Sequence, residues 1–347
     1  MDIKHELTNK TILVTGGAGF IGSHLCDKLL QRGARVICFD NLSTGSRYYI
    51  ESHENNPRFT FIIGDVNNFL DLEKVFSRRD IDYVFHYAAL VGVQRTIEQP
   101  FSVLEDVEGI KNICKLSAES GVKKIVYASS SEVYGNQKEL PFSEHSSYHD
   151  TKNPYSLVKA MGESYMKHYH QLKGLPTVSL RLFNVYGPRQ ANSHYGFVVG
   201  IFISQVLRNM PPTVFKDGSQ TRDFTFIDDN VEISIGALLS KDTDGEVMNI
   251  GTGRETSVLT LAQKIIDLSG KKIEPSFLHN IDICETPRRF ADVSKMQKLI
   301  GFSPKTPLEK GLKLTFDWYK DSLPILSKLK EKDFKFYEHK EIVNKIK

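Results

Sequence analysis

Tyr155 and Lys159 stand one helical turn apart and are the pair in this chain best suited to proton chemistry. They follow Asn153-Pro154, a capping side chain and then a proline suited to the first helical position. The phenol and the ammonium are therefore predicted to share one helix face. A free phenol, with a pKa near 10, is a poor base at neutral pH. Neighbouring positive charge favours the phenolate and brings it toward use as a base. On its own a Tyr and Lys at this spacing is an ordinary surface pair, and its weight comes from what precedes it. Upstream, Ser129-Ser130-Ser131-Glu132-Val-Tyr134-Gly135 follows an apolar run, so Ser130 is placed to hydrogen-bond the same oxygen as Tyr155. The plainer reading of Ser130 is a hydroxyl capping its own turn.

Gly16-Gly-Ala-Gly19-Phe-Ile-Gly22 sits between a predicted strand, Thr11 to Thr15, and a predicted helix, Phe20 to Gln31. Gly16 permits the tight turn, Gly19 lets the backbone approach a pyrophosphate, and Gly22 lets the helix pack on the strand. Free amides and the positive end of the helix dipole then face the phosphates. Asp40, eighteen residues past Gly22 at the end of the second apolar run, is placed to accept from the adenosine ribose hydroxyls. A carboxylate there repels a 2′-phosphate, which favours NAD over NADP. Asp65, ending the third run, either accepts from the adenine amino group or caps a helix. The oxidised nicotinamide supplies the second positive charge that Tyr155 needs.

These residues must be held by something, and the first 190 residues provide it. Apolar runs at 11–15, 35–40, 59–63, 81–87, 124–129 and 177–183 read as buried strands separated by helices, among them one from about 101 to 120 and a long one from 154 to about 172. Near-continuous apolar strands alternating with helices predict a doubly wound parallel sheet of the Rossmann type. Beyond Tyr186 the rhythm breaks at Pro188, Pro211 and Pro212. Strands shorten, and helices are expected near 229–240, 257–268 and 308–319. The expected organisation is a dinucleotide-binding domain over 1–190, a smaller α/β substrate lobe over 191–321 and a Lys-rich peripheral tail over 322–347.

Composition narrows the class. Apolar residues are 40% and charged residues 25% of the chain, which excludes disorder and coiled coil. No apolar run is long enough for a membrane helix, and Met1-Asp-Ile-Lys-His-Glu lacks the apolar core of a secretory signal. Forty-five basic against 42 acidic residues argue against a nucleic-acid partner. Cys26, Cys38, Cys114 and Cys284 lack metal-ligand spacing, so no metal is expected and the chain reads as cytoplasmic.

Taken together, Gly16-x-x-Gly19-x-x-Gly22, Asp40-Asn-Leu-Ser-Thr-Gly45, His86-Tyr-Ala-Ala89, Ser129 to Gly135, Tyr155-x-x-x-Lys159 and Arg181-Leu-Phe-Asn-Val-Tyr-Gly-Pro-Arg-Gln190 resemble the extended short-chain dehydrogenase/reductase family, in its NAD-dependent nucleotide-sugar epimerase, dehydratase and decarboxylase group. The resemblance runs over roughly 10–320. It departs at Asp106, where the family usually has Asn. It implies a nucleotide-diphosphate sugar as substrate, with Tyr155 taking the proton of the sugar 4-hydroxyl, Lys159 holding the nicotinamide ribose and lowering the phenol's pKa, and Ser130 orienting the 4-oxygen. It adds Phe20, Ile21, Asn41, Val66 and Ala88 to the cofactor set. Asn184, Arg222 and Arg289 match the residues that hold the substrate phosphates, and a buried diphosphate requires such cations. Phe215 is either a nucleobase contact or a core residue. A homodimer paired through the 101–120 and 154–172 helices is also implied.

The reaction turns on Ser130-Ser131-Glu132. Dehydratases resembling this group carry Thr-Asp-Glu there, and Ser131 has no carboxyl. Glu132 resembles the Thr-Ser-Glu of UDP-glucuronate decarboxylases. Val91 to Pro100, Tyr195 to Phe202 and Gln220-Thr-Arg-Asp-Phe224 are more similar to hexose 4-epimerases. The expected activity is a 4-epimerase of the UDP-hexose or UDP-N-acetylhexosamine type, ahead of a decarboxylase and a 4,6-dehydratase. A non-catalytic NAD sensor or scaffold on the same fold would have no need for Tyr155, Lys159 and Ser130 together.

Overall fold

A computed structural model describes residues 6–78, 80–91, 96, 98–146, 153–190, 197–279 and 286–326. Six strands form where the apolar runs predict them: β1 Thr11–Thr15, β2 Arg35–Asp40, β3 Phe59–Ile63, β4 Tyr83–His86, β5 Lys124–Ser130 and β6 Thr177–Leu182. Every residue of β1 and β5 is buried, as a strand covered on both faces requires. A seventh strand, Glu246–Ile250, lies beside β6, giving the order Glu246–Ile250, β6, β5, β4, β1, β2, β3. All of these pairs are parallel. The seventh strand was not foreseen. It is a short run from the region expected to be the substrate lobe, and β6 recruits it by pairing.

The order of strands reverses between β1 and β4, and a crevice opens above the carboxyl ends of the strands at such a point. Successive β1 side chains serve opposite cores. Ile12 and Val14 pack with Leu25 and Leu29 of the Phe20–Gln31 helix and Ile233 of the Ile227–Leu239 helix. Leu13 packs with Ile110 and Ile113 of the Asp106–Glu119 helix and Val158 and Met166 of the Pro154–Lys173 helix.

The helix expected over 101–120 is two helices, Pro100–Leu104 and Asp106–Glu119, with Glu105 between them. The break turns Asp106 toward the loop after β4, where its carboxylate accepts from the Leu90 amide at 2.7 Å. The Pro154–Lys173 helix begins as predicted, with the Asn153 side chain accepting from the Tyr155 amide at 3.0 Å and Pro154 opening the helix. Gly162 fixes the height of this helix over the sheet, since a Cβ there would stand 2.2 Å from the Tyr127 hydroxyl.

The most apolar stretch of the chain becomes the ten-residue helix Val198–Leu207, with Val199, Phe202, Ile203 and Val206 in the core. Among the described residues no helix is long and apolar enough to cross a membrane. Beyond it, Thr221–Arg222 forms a small sheet between Thr256–Ser257 and Arg288–Arg289. Buried Asp223 ties these segments together by accepting from the amides of Thr252, Gly253 and Ala291. Of the expected tail, residues 322–326 continue the Leu308–Leu326 helix and the rest lie outside the described residues, as does Cys284.

Candidate active site

A cleft of about 500 Å³ runs across the strand ends at the reversal point. Its lining brings together residues from six separate stretches of sequence: Gly16 to Gly22, Asp40 and Asn41, Asp65 and Val66, Ala88, Ser130 with Glu132, and Tyr155 with Lys159. Asn184 closes it from the end of β6.

The glycine turn forms one end. Gly16 has φ +68°, a conformation other residues adopt only under strain, and a Cβ on Gly22 would stand 2.0 Å from the Gly16 carbonyl. The helix that follows has Gly19 at its N-cap and no side chain capping its first amides. Those amides and the dipole end are the groups an anionic pyrophosphate needs. Asp40 is buried beside them, its two oxygens accepting from the Ala18 amide at 3.0 Å and the Leu42 amide at 2.7 Å. Burial raises the Asp40 carboxyl above its ordinary value, and these two amides counter the rise. Asp65 accepts from Asn41 Nδ2 at 3.0 Å and from the Asn67 amide at 2.8 Å. The helix cap in this loop is Asn68.

At the other end, Lys159 is buried and donates to the Ala128 carbonyl at 2.7 Å, its ammonium 5.4 Å from the centre of the Tyr155 ring. Burial lowers the ammonium to about 8, against the pull of Asp106 and Glu163. The Ser130 hydroxyl bonds the Tyr155 phenol, and Ser130 Oγ also accepts from the Glu132 amide at 3.2 Å. The bond to the Glu132 amide is the turn-capping reading of Ser130. Tyr155 differs from expectation: burial drives its pKa upward, and Glu132 and Asp106 add to the rise. The effect of Lys159 alone is too small to reverse desolvation of the phenolate.

Behind these groups lies a buried polar chain. Ser129 Oγ donates to Glu163 at 2.5 Å, and Arg181 holds the same carboxylate through Nε at 2.9 Å and Nη2 at 2.8 Å. His86, stacked on Tyr127, bonds Thr15 Oγ1 at 2.8 Å and is held neutral by burial, with a pKa of about 3. The bonds of Ser129 and Arg181 to Glu163 fix β5 and β6 to the helix carrying Tyr155.

Arg222 and Arg289 are register partners on adjacent strands, and neither is among the residues lining the cleft. Arg289 reaches the cleft through an ion pair with Glu132. Arg222 Nη1 donates to the Thr221 carbonyl at 2.7 Å. Asn184 Nδ2 is buried and has no hydrogen-bond partner among the described residues, which suits it to donate to an incoming anion. Phe215 pairs in a strand with Leu278, away from the cleft lining. Sequence reasoning noticed Asp106 only as a departure and did not place it in the site. Its position in the first turn of a helix reads equally well as an ordinary dipole partner.

A glycine-turned anion cradle at one end and a phenol–ammonium–hydroxyl cluster at the other suit a dinucleotide whose reactive ring meets a hydroxyl-bearing substrate. A family model decides the matter, matching residues 12–251 as the NAD dependent epimerase/dehydratase family. The chain belongs to the NAD dependent epimerase/dehydratase family. NAD is its cofactor, and the uncapped glycine cradle fits that group. A putative UDP-glucose 4-epimerase of Methanocaldococcus jannaschii is 38% identical over 90% of this chain and 99% of its own. A UDP-N-acetyl-alpha-D-glucosaminuronate decarboxylase of Bacillus cytotoxicus is also 38% identical, over 90% and 98%. The crystal structure of UDP-glucose 4-epimerase from Thermotoga maritima with UDP-glucose superposes with a TM-score of 0.85, at 34% identity over 90% of this chain and 99% of that one.

Proposed function

We propose that this protein is a nucleotide-sugar 4-epimerase acting on a UDP-hexose or UDP-N-acetylhexosamine through a 4-keto sugar. The observation that carries the reading is the convergence of Tyr155, Ser130 and Lys159 on the end of the cleft opposite the glycine turn. Gly16, Gly19, Phe20, Ile21 and Gly22 hold the pyrophosphate, Asp40 and Asn41 the adenosine ribose, Asp65 and Val66 the adenine, and Ala88 and Lys159 the nicotinamide end. NAD, when bound, accepts the hydride from C4 and returns it. Tyr155 takes the proton from the 4-hydroxyl and gives it back, while Ser130 holds the 4-oxygen. Because burial keeps the phenol protonated, its ionisation depends on positive charge brought beside it. Asn184 donates to the substrate phosphates, and Arg222 and Arg289 neutralise the diphosphate.

A decarboxylase reading is favoured by Glu132, which lines the cleft close enough to Tyr155 to perturb it and is paired with Arg289. A dehydratase is disfavoured because Ser131 is a buried hydroxyl with no acid to offer. Proton NMR of the enzyme with UDP-glucose, UDP-N-acetylglucosamine, UDP-glucuronate and dTDP-glucose separates these readings. The epimerase gives a C4-inverted hexose, a decarboxylase a pentose and a dehydratase a 4-keto-6-deoxy sugar. No conversion of any of the four would refute the assignment.

We further propose that the protein works as a cytoplasmic homodimer. Phe101 and Leu104 of one helix and Leu157 and Met161 of its neighbour expose apolar side chains, the kind of surface that a second copy covers. A cytoplasmic setting agrees with buried, unpaired Cys26, Cys38 and Cys114. Sedimentation giving a monomer would refute the pairing.

A further inference from the structure

Asp106 is a buried carboxylate that the reaction described above does not use. It is 8% exposed, lies in the cleft lining and is held in place, with one oxygen accepting from the Leu90 amide at 2.7 Å and the Asn67 side chain bonded to the carboxyl. The charged and titratable groups that face it come from every element packed around it. Lys159 and Tyr155 stand on the Pro154–Lys173 helix, Asp65 at the end of β3 and Tyr127 on β5, while Glu105 and Glu108 flank it along its own chain. Among these, Lys159 is the cation that draws Asp106 toward ionisation, whereas Glu132, the other carboxylate acting on Tyr155, is already paired with Arg289.

We propose that Asp106 is the charge that sets the balance between oxidised and reduced dinucleotide in this cleft. The inference rests on reading Tyr155 and Lys159 as the nicotinamide end. The two forms of the cofactor differ by one positive charge on the nicotinamide ring. Lys159 acting alone would favour the neutral, reduced form, since a buried ammonium repels a second cation. A fixed carboxylate on the same wall offsets that repulsion and favours the oxidised form. For an enzyme that must return its hydride every cycle, this matters: a cleft that bound the reduced form too tightly would hold it after losing the keto sugar and stop. The same carboxylate adds to the burial that keeps Tyr155 protonated until the positive ring arrives, so base and oxidant become competent together.

The test is the ratio of dissociation constants for NADH and NAD⁺, measured at equilibrium without substrate in wild type and in Asp106→Asn. Asparagine keeps the shape and the acceptor for the Leu90 amide and removes the charge. The ratio is expected to fall roughly tenfold in the variant, the scale of one buried charge acting across a few ångströms at a protein-like dielectric. A second measurement needs no variant. Burial raises the Asp106 carboxyl to about 6, so between pH 8 and pH 5.5 the wild-type ratio should fall toward that of the variant, and by more than protonation of Lys159 moves the variant's own ratio. Equal ratios in the two proteins, a shift in the opposite direction, or the same drift in both would overturn the proposal. Binding alone is read, so this failure is distinguishable from failure of the epimerase reading, which turnover of the four sugars tests.

Discussion

The carboxylate of Glu132 and the guanidinium of Arg289 are joined across 157 residues of sequence. This pair ties the turn after β5 to the strand that carries Arg289 beside Arg222. Arg289 is 6% exposed, so its charge depends on this partner. Glu132 also raises the pKa of Tyr155. Removing its charge in Glu132→Gln lowers the phenol's pKa and frees the positive field of Arg289, and both effects act in the same direction. A base works in its ionised form, so the acid limb of the kcat profile should move to lower pH, with the plateau reduced less than about tenfold. A loss nearer the 10²–10⁴ of a positioned acid–base group would instead make Glu132 a proton donor in the chemistry, as the decarboxylase reading needs.

Tyr155→Phe deletes one hydroxyl from a half-buried ring and leaves the Asn153 cap, Pro154 and the Gly162 contact in place. The expected result is a kcat loss of about 10²–10⁴ with an unchanged melting temperature and unchanged NAD binding. A rate within a few-fold of wild type would mean that the proton goes elsewhere.

How much of this was legible beforehand depends on the range of the physics involved. The cap at Asn153, the start at Pro154 and the glycine turn are set by neighbours a few residues away, and they fold as read. Strands β1 and β5 announce themselves because burial on both faces leaves a near-continuous apolar run, and edge strand β3 is apolar although only Phe59 of it is fully buried. Other features depend on contacts over long sequence separations and leave no local trace. Glu246–Ile250 becomes the seventh strand only because β6 presents it an edge. The Glu132–Arg289 pair, the grip of Arg181 and Ser129 on Glu163, and the turning of Asp106 into the cleft are of the same kind. The raised pKa of Tyr155 was missed because spacing reveals the nearby ammonium and says nothing about the desolvation that outweighs it.

Arg222 stands in register with Arg289, which reaches the cleft through its ion pair with Glu132. The Arg222 guanidinium is anchored by the Thr221 and Thr286 carbonyls at 2.7 and 3.2 Å, so it is held ready for an anion at little ordering cost. Arg222→Ala should raise KM for the nucleotide sugar at least about tenfold, the cost of one charge-assisted contact, with kcat changed far less. Steady-state kinetics on the substrate identified by NMR checks this, and an unchanged KM would place the diphosphate elsewhere.

Asp40 calls for a conservative change because its oxygens already satisfy the amides of Ala18 and Leu42. Asp40→Ala would orphan both donors and confuse folding with recognition. Asp40→Asn removes the charge and keeps an acceptor. The preference for NAD over NADP, measured by titrating both dinucleotides, should narrow by about tenfold, the value of one lost charge repulsion near a phosphate. A wild type that already prefers NADP would contradict the role given to this carboxylate.

Lys159 should be a liability to the fold that is tolerated for its chemistry. Burial lowers its pKa from the ordinary 10.5 to about 8 in the folded protein. In the window between those values the unfolded chain holds a proton that the folded chain does not, so stability rises with pH there. Below about pH 8 both states are protonated and the burial penalty is present in full, about 3 kcal/mol at 1.36 kcal/mol per unit. Lys159→Met, similar in length and uncharged, should therefore abolish turnover yet melt at a higher temperature than wild type at pH 7 when both are freed of dinucleotide. Its advantage should shrink as pH rises from 8 toward 10.5. A variant that melts lower at pH 7 would show that the donation to the Ala128 carbonyl and the attraction of Asp106 and Glu163 together outweigh desolvation.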